Sequence, residues 1–306
     1  MSPRFIRIRP VRAFPSVAEM ENENLSGVWS VMGLSLMGLA ALSASGHSGQ
    51  MIESFTPETW LIVTMFGVAI LTGFIDSIAG GGGLVMMPAL LAAGLPPHLA
   101  IGTNKLQSVF GTSTACWSYW RGGLVEIRRN LPLVGLVFCG SAIGAILIQQ
   151  ISAGVVAYIV PIFLIGLAGY VIFSPRMTDD DAHERLTRKS YAPVAGAISL
   201  YDGFFGPGTG QFFTASLVGL RGQGLTRATA NAKLFNATTN WAAVIVFTLG
   251  GKMVWVLGLA MAAGAMIGGF IGSRFAMRHG AKLIRPLMII ASLGLTGKIL
   301  WDLLAA

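Results

Sequence analysis

The stretch Asp76-Ser-Ile-Ala-Gly-Gly-Gly82 has a second copy in this chain, Asp202-Gly-Phe-Phe-Gly-Pro-Gly208. In both copies an acidic residue stands four positions before a glycine that interrupts a long apolar run. Downstream of each copy, the pattern Ala100-x-x-x-x-Lys105-Leu106 is matched by Ala228-x-x-x-x-Lys233-Leu234. Two acids, two lysines and two glycine breaks in the same order indicate an internal duplication.

The composition around these stretches is that of an integral membrane protein. Of the 306 residues, 54% are hydrophobic and 11% are charged, whereas soluble domains carry about 25% charged residues. Forty glycines are suited to closely packed membrane helices. At about 20 residues per membrane segment, the length accommodates about eight to ten segments. The two cysteines, Cys116 and Cys139, are too few for a disulfide framework or a metal site, so we expect neither.

Apolar runs follow one another in the same order in both halves of the chain. In the first half they are Trp60–Ser77, Leu84–Leu95, Ile101–Trp120, Leu131–Ile148 and Ala153–Phe173, and in the second they are Ala192–Phe205, Phe212–Leu220, Ala228–Leu249, Met253–Ile271 and Leu283–Leu303. The runs predict an N-terminal extension over 1–55, a first membrane repeat over 56–175, a charged cytoplasmic loop over 176–190 and a second membrane repeat over 191–306. The extension is open to three interpretations: an extra helix, a signal-like segment, or a misassigned start that precedes Met51.

One run in each half is too short to cross a bilayer. Leu84–Leu95 would extend about 18 Å as a helix, against a hydrocarbon core of about 30 Å. Each short run follows a break in the apolar pattern, at Gly80–Gly83 and at Gly206–Gln211. Interrupted segments at matching positions of two halves are typical of transporters, in which such broken helices form the binding site.

Basic residues indicate how the two repeats lie relative to each other, because cytoplasmic loops are enriched in lysine and arginine. The loop after Trp120 carries three arginines, whereas its counterpart after Leu249 carries one lysine. The loop after Gln150 carries none, whereas its counterpart carries four basic residues. Equivalent loops therefore lie on opposite sides, with the C-terminus outside. The sequence predicts an all-α polytopic membrane protein of two inverted-topology repeats, with broken or re-entrant helices after Asp76 and Asp202.

Several of these motifs together resemble the TauE/SafE family, also called the sulfite exporter or TSUP family, and within it the YfcA-like branch. The first half carries Gly73-Phe-Ile-Asp-Ser-Ile-Ala-Gly-Gly-Gly-Gly83, Pro88 and Thr103-Asn-Lys-Leu-Gln107, and the second carries Tyr201-Asp-Gly-Phe-Phe-Gly-Pro-Gly208, Ala232-Lys-Leu-Phe-Asn-Ala-Thr238 and Lys282-Leu-Ile-Arg-Pro286. The resemblance covers residues 56–303. It implies a multi-pass permease of the bacterial cytoplasmic (inner) membrane, whose substrates are sulfite, sulfonates or related organosulfur anions.

Lys105 and Lys233 are the strongest candidates for contact with a substrate. A charged side chain inside a membrane segment costs about 2.5–3.5 kcal/mol on insertion scales, so each lysine needs a partner or a function. Spacings of three and four residues place two polar sets on equivalent helix faces: Lys105, Ser108 and Thr112 in the first half, and Lys233, Asn236 and Asn240 in the second. These sets predict an anion path headed by two ammonium groups. The alternative is that each lysine neutralises Asp76 or Asp202 and holds a broken helix in place.

The glycine breaks and the acids before them provide further candidates. Backbone N–H groups that are exposed where a helix resumes bind anions, helped by the helix dipole. The substrate-binding candidates of this kind are Gly81, Gly82, Gly83 and Gly208. Asn104, together with Gln107 and Thr103, offers further side-chain donors, and the alternative for these three residues is to tie neighbouring helices together. The alternative for the glycines is close helix packing. Asp76 and Asp202 are predicted to couple transport to protons or, alternatively, to form ion pairs and cap the freed N–H groups.

These features favour a secondary transporter for a small anion, expected to contain sulfur, that works by alternating access between its halves. The alternative is an anion channel, in which the same lysines and helix termini line a fixed pore. An intramembrane aspartyl protease is disfavoured, because its Gly-x-Gly-Asp half is replaced by Gly-Phe-Ile-Asp at Asp76. We expect no enzymatic activity, no cofactor and no nucleic-acid partner. The expected partners are the anion and the lipid bilayer, with proton coupling and homo-oligomerisation left open.

Overall fold

A computed structural model shows how these segments fold into helices. It describes residues 57–152 and 185–280, together with residues 155 and 282. The helices in these ranges are α1 Thr59–Ala79, α2 Gly82–Ala92, α3 Pro97–Arg121, α4 Ile127–Gln150, α5 Arg188–Phe204, α6 Thr209–Arg221, α7 Leu225–Leu249 and α8 Trp255–His279. The predicted extension over 1–55, nearly all of the runs Ala153–Phe173 and Leu283–Leu303, and most of the loop over 176–190 lie outside the described residues.

Three of the helices, α1, α4 and α8, are long and apolar enough to cross a membrane. Their outward sides carry exposed apolar residues, among them Val63 on α1, Ile143 on α4 and Ile267 on α8. Apolar surface of this kind on several neighbouring helices is suited to lipid rather than to water. Polar and charged side chains such as Lys105 and Lys233 are instead buried inside. The protein is therefore an all-α membrane protein, as predicted.

Helices α3 and α7 occupy equivalent places in the two repeats and pack against each other. Just beyond the end of α3, the Glu126 N–H donates to Asn231 Oδ1 near the start of α7 (3.3 Å). Just beyond the end of α7, the Val254 N–H donates to Thr103 Oγ1 near the start of α3 (3.0 Å). Glu126 and Val254 are equivalent positions of the two repeats, and so are Thr103 and Asn231. Each bond is therefore the counterpart of the other, with the donor and acceptor repeats exchanged. Equivalent helices thus run antiparallel, which confirms the predicted inverted topology.

The last described helix of each repeat packs against the first helix of the other, α8 on α1 and α4 on α5. Glycines let these backbones approach closely. A Cβ on Gly268 of α8 would lie 2.0 Å from the Ile70 carbonyl oxygen, and a Cβ on Gly144 of α4 would lie 2.1 Å from the Leu200 carbonyl oxygen. Each repeat therefore buries its first helix against a helix of its partner, and the halves depend on each other for their packing.

Replacing Gly144 by alanine is expected to destabilise this packing. The added methyl would collide with the Leu200 carbonyl oxygen, and overpacking of this kind costs about 1–3 kcal/mol. The matched control is Gly135→Ala on the same helix, where an added Cβ meets no atom within 4 Å. We expect the thermal midpoint of detergent-solubilised protein to fall by several degrees for Gly144→Ala only. Equal midpoints for the two variants would contradict the close approach of α4 and α5.

Both glycine breaks separate two helices, as predicted. After α1, Gly80 has a left-handed backbone (φ 77°), and after α5, Gly206 and Gly208 are left-handed as well (φ 97° and 80°). A β-carbon is disfavoured in that conformation, which explains the choice of glycine. The second break is shorter than the predicted Gly206–Gln211. The Gln211 N–H already donates to the Gly208 carbonyl oxygen (2.9 Å) and so belongs to the first turn of α6.

Candidate functional site

The two breaks meet where the repeats face each other. A Cβ on Gly210 would lie 2.6 Å from Gly80 Cα, so the backbones of the two interrupted regions are in direct contact. The first turns of α2 and α6 therefore border one region, and the first N–H groups of a helix have no partner within that helix. The acids and lysines predicted from the sequence lie around this contact.

Each lysine pairs with the acid of the other repeat. Lys105 Nζ lies 2.8 Å from Asp202 Oδ1, and Lys233 Nζ lies 2.8 Å from Asp76 Oδ2. Three of these side chains are 1–2% exposed, whereas Asp76 is 19% exposed. A buried ion pair contributes little net stability, but loss of one partner costs about 3–5 kcal/mol because it leaves the other charge unpaired. The pairs therefore join the two repeats and keep their four charges in balance.

Side-chain amides extend the Lys105 pair along α7. Lys105 Nζ also donates to Asn240 Oδ1 (3.2 Å). Asn240 Nδ2 in turn donates to Asn236 Oδ1 (3.3 Å) and to Thr112 Oγ1 (3.4 Å). The two polar faces predicted from the sequence are thus joined into one hydrogen-bonded network, which runs between α3 and α7.

These groups surround a small polar cavity between the repeats, here called the central cavity. Its lining is Asp76, Gly80, Gly83, Asn104, Lys105, Ser108, Thr112, Asp202, Gly206, Gly208, Gly210, Asn236 and Asn240. Every lining residue is charged, has a polar side chain or is a glycine, so the cavity can make hydrogen bonds on all sides. Within the described ranges, no three His, Cys, Asp or Glu side chains come together as a metal site requires.

Three of the predicted site residues do not line the central cavity. Lys233 lies behind Asp76, which accepts from its ammonium group. The Gly82 N–H donates to Asp76 Oδ1 (3.2 Å) and is therefore already engaged. Gly81 faces Gln211 instead, since a Cβ on it would lie 2.8 Å from Gln211 Nε2. Asp76 thus makes both contacts that were the alternative to proton coupling, an ion pair and a helix cap.

Two buried glutamines near the cavity, Gln107 and Gln211, have no polar counterpart in the other repeat. Gln107 Nε2 donates to Asn104 Oδ1 (3.1 Å), while its carbonyl oxygen has no partner among the described residues. Gln211 is fully buried, and neither polar atom of its amide has a partner in the described part of the chain. The equivalent positions hold Phe235 and Val85. An apolar counterpart removes the signal that a duplicated polar residue provides, which is why Gln211 was not predicted.

A second, small cavity adjoins the central cavity on the side of the first repeat. The two share Asp76, Gly83, Ser108 and Thr112, and the lining is completed by Thr72, Gly73, Gly82, Gln107, Gly111 and Ala265. In the second repeat the place of Gln107 is taken by Phe235, which is fully buried and packs on Phe213 with ring centroids 5.4 Å apart. The position of a polar amide beside the cavity in the first repeat is therefore held by a buried aromatic ring in the second.

Comparisons with known proteins agree with the motifs quoted above. Residues 65–299 match the family model described as sulfite exporter TauE/SafE. The chain is similar to the probable membrane transporter protein YfcA of Escherichia coli, being 42% identical over 249 residues, 81% of this chain and 93% of the relative. It is also similar to the probable membrane transporter protein ORF9 of Sinorhizobium sp (42% over 243 residues, 79% and 93%) and to a probable membrane transporter protein of Haemophilus influenzae (39% over 243 residues, 79% and 95%). No solved structure matches the chain.

Proposed function

This chain belongs to the sulfite exporter TauE/SafE family of membrane transporters, and from that premise we propose that it is a secondary transporter for a small sulfur-containing anion. The substrate class is sulfite, a sulfonate or a related organosulfur anion, carried across the bacterial cytoplasmic membrane. The observation that carries this proposal is the central cavity, which lies where both broken helices meet and has Lys105 in its wall.

The chemistry of the central cavity favours an anion as substrate. Lys105 contributes an ammonium group, and Asn104 contributes an amide. The first turns of α2 and α6 border the cavity at Gly83 and Gly210, and the positive end of a helix dipole stabilises negative charge. The absence of side chains at the glycines lets a small ligand approach the backbone N–H groups closely.

The inverted repeats favour alternating access. In transporters of this architecture one repeat rocks against the other around a fixed site near the midplane. The two broken helices lie at matching positions of the repeats and border one cavity, as this kind of alternating access requires. This arrangement supports a carrier over the alternative of an anion channel, in which the same groups would line a fixed pore.

Purified protein reconstituted into liposomes tests the proposal. Vesicles are loaded with sulfite, methanesulfonate or taurine and then given the same compound in labelled form. We expect uptake of label by exchange for at least one of the three compounds, and no such exchange for acetate. Saturable exchange that requires substrate inside the vesicle supports a carrier, whereas non-saturating flux indifferent to internal substrate supports a channel. No flux of any sulfur compound through correctly inserted protein would overturn the proposal.

A further inference from the structure

The two acids that the duplication makes equivalent differ in one contact. Both oxygens of Asp76 are bonded: Oδ1 accepts from the Gly82 N–H (3.2 Å) and Oδ2 from Lys233 Nζ (2.8 Å). Asp202 Oδ1 accepts from Lys105 Nζ (2.8 Å), but Asp202 Oδ2 has no hydrogen-bond partner among the described residues. Asp202 is 1% exposed and lines the central cavity. Because an unpaired buried polar atom is costly, this oxygen marks a place where a proton or a donor binds.

The backbone after each acid accounts for the difference. The residue equivalent to Gly82 is Gly208, which has a left-handed conformation (φ 80°) and precedes α6 instead of starting it. The first residue of α6 bonds to the glycine break instead of to Asp202. The N–H and the hydroxyl of Thr209 both donate to the Gly206 carbonyl oxygen (3.2 and 2.7 Å). The cap that Asp76 provides for α2 therefore has no counterpart at Asp202.

We propose that Asp202 Oδ2 is the proton-binding atom of this transporter and that one proton travels with each anion. The inference rests on the proposed function and assigns coupling to Asp202, not to Asp76. When Asp202 is ionised, its negative charge neutralises Lys105, and the lysine has no net charge left to offer an anion. A proton on Oδ2 converts the group to a neutral carboxyl, whose Oδ1 still accepts from Lys105 and whose new O–H donates to an oxygen of the bound anion. No bond of the substrate breaks, and the proton is released when the anion leaves.

Charge balance makes proton and anion binding mutually favourable. The two lysines and two acids of the paired site sum to zero. An anion added to them would leave a net negative charge in a buried site, which is strongly unfavourable. A proton on Asp202 leaves the positive charge of Lys105 uncompensated, and the anion then restores the balance. By linkage, each of the two ligands raises the affinity for the other by the same factor.

The first test is the pH dependence of anion affinity in the wild-type protein. Affinity is expected to rise as the pH falls, by up to about tenfold per pH unit if one proton is taken up with each anion. Methanesulfonate is the probe, because its single charge does not change between mildly acidic and mildly alkaline pH. A pH dye in weakly buffered solution measures the proton uptake directly when methanesulfonate is added. Sulfite, corrected for its own ionisation, is the second probe.

Two matched variants then locate the proton. Asp202→Asn places a neutral amide where the inference places the carboxyl, so its anion affinity is expected to be independent of pH. It should also lose the accumulation that an inward proton gradient drives. Lys233→Met/Asp76→Asn removes the equivalent acid together with its own lysine, so the remaining charges still sum to zero, and it is expected to keep the pH slope of the wild type.

The outcomes separate this inference from the function on which it rests. Clear anion binding with a flat pH profile in the wild type overturns the inference and leaves the transporter proposal standing. A profile that is flattened by Lys233→Met/Asp76→Asn and not by Asp202→Asn overturns it as well. If the wild type neither binds nor exchanges any sulfur anion, the proposed function itself fails. If Asp202→Asn does not fold, the proton uptake by the wild type still distinguishes one proton per anion from none.

Discussion

Removal of both charges of one ion pair, in Lys105→Met/Asp202→Asn, is expected to abolish anion exchange in protein that still inserts and folds. Lys105 lines the central cavity, and a hydrogen bond to a charged group contributes about 1.5–3 kcal/mol, which is about ten- to hundred-fold in affinity. The double variant is preferable to Lys105→Met alone. The single change would leave Asp202 charged at 1% exposure, at a cost of about 3–5 kcal/mol in stability.

The matched variant in the other pair is Lys233→Met/Asp76→Asn. Lys233 lies behind Asp76 and does not line the central cavity, so we expect exchange of labelled sulfite to fall less than in the first double variant. Rates are compared per mole of folded protein, as judged by size-exclusion chromatography. Equal losses would mean that both lysines contact the anion, as the sequence pattern alone predicts. A larger loss for the Lys233 variant would contradict the role given to Lys105.

Gly206→Ala is expected to lower exchange by at least about tenfold. The backbone of Gly206 is left-handed (φ 97°), and a Cβ on it would lie 2.6 Å from Lys105 Nζ and 2.9 Å from Lys105 Cε. The ammonium group is the end of a flexible side chain, so it should move aside rather than prevent folding. The substitution therefore displaces the cation from Asp202 and from the central cavity while the helices remain in place.

Gly94→Ala is the matched control for this prediction. Gly94 is also left-handed (φ 83°), but an added Cβ meets no atom within 4 Å. Both variants carry the cost of a left-handed alanine, about 1–2 kcal/mol, so both should lower the thermal midpoint, and Gly206→Ala should lower it further because it also separates the buried ion pair. Only Gly206→Ala should lose exchange. Normal exchange by Gly206→Ala would show that the position of the Lys105 ammonium group does not matter for transport.

The sequence predicted the repeat and the helix breaks because both leave a pattern in the order of residues. Asp76 and Asp202 precede their glycines by the same spacing, and Lys105 and Lys233 follow in register. The partner of each lysine could not be predicted, because either acid satisfied the charge. The pairing depends on how α3 and α7 cross, which the local pattern does not encode. The extension over 1–55 and the outside location of the C-terminus stay predictions.

The residue order also did not predict the structural differences between the two repeats. Asp76 and Asp202 have closely similar surroundings in the sequence, yet only the first caps the helix that follows. That contact depends on the backbone angles at one residue, Gly208, where glycine permits several conformations at little cost. Gln211 was missed because its counterpart is Val85. Duplicated polar residues mark the groups that the two halves share, whereas an unduplicated polar residue such as Gln211 carries no such mark in the sequence.

Phe235 makes the two repeats chemically unequal. If both repeats were identical, the inward-facing and outward-facing states of the proposed carrier would be related by a two-fold rotation and would have the same free energy. With an amide at Gln107 on one side and a buried ring at Phe235 on the other, that degeneracy is lost, and each 1.4 kcal/mol between the states is about tenfold in their populations. If the chain is the carrier proposed above, we expect its resting state to face one compartment and its apparent KM to differ between the two faces of the membrane.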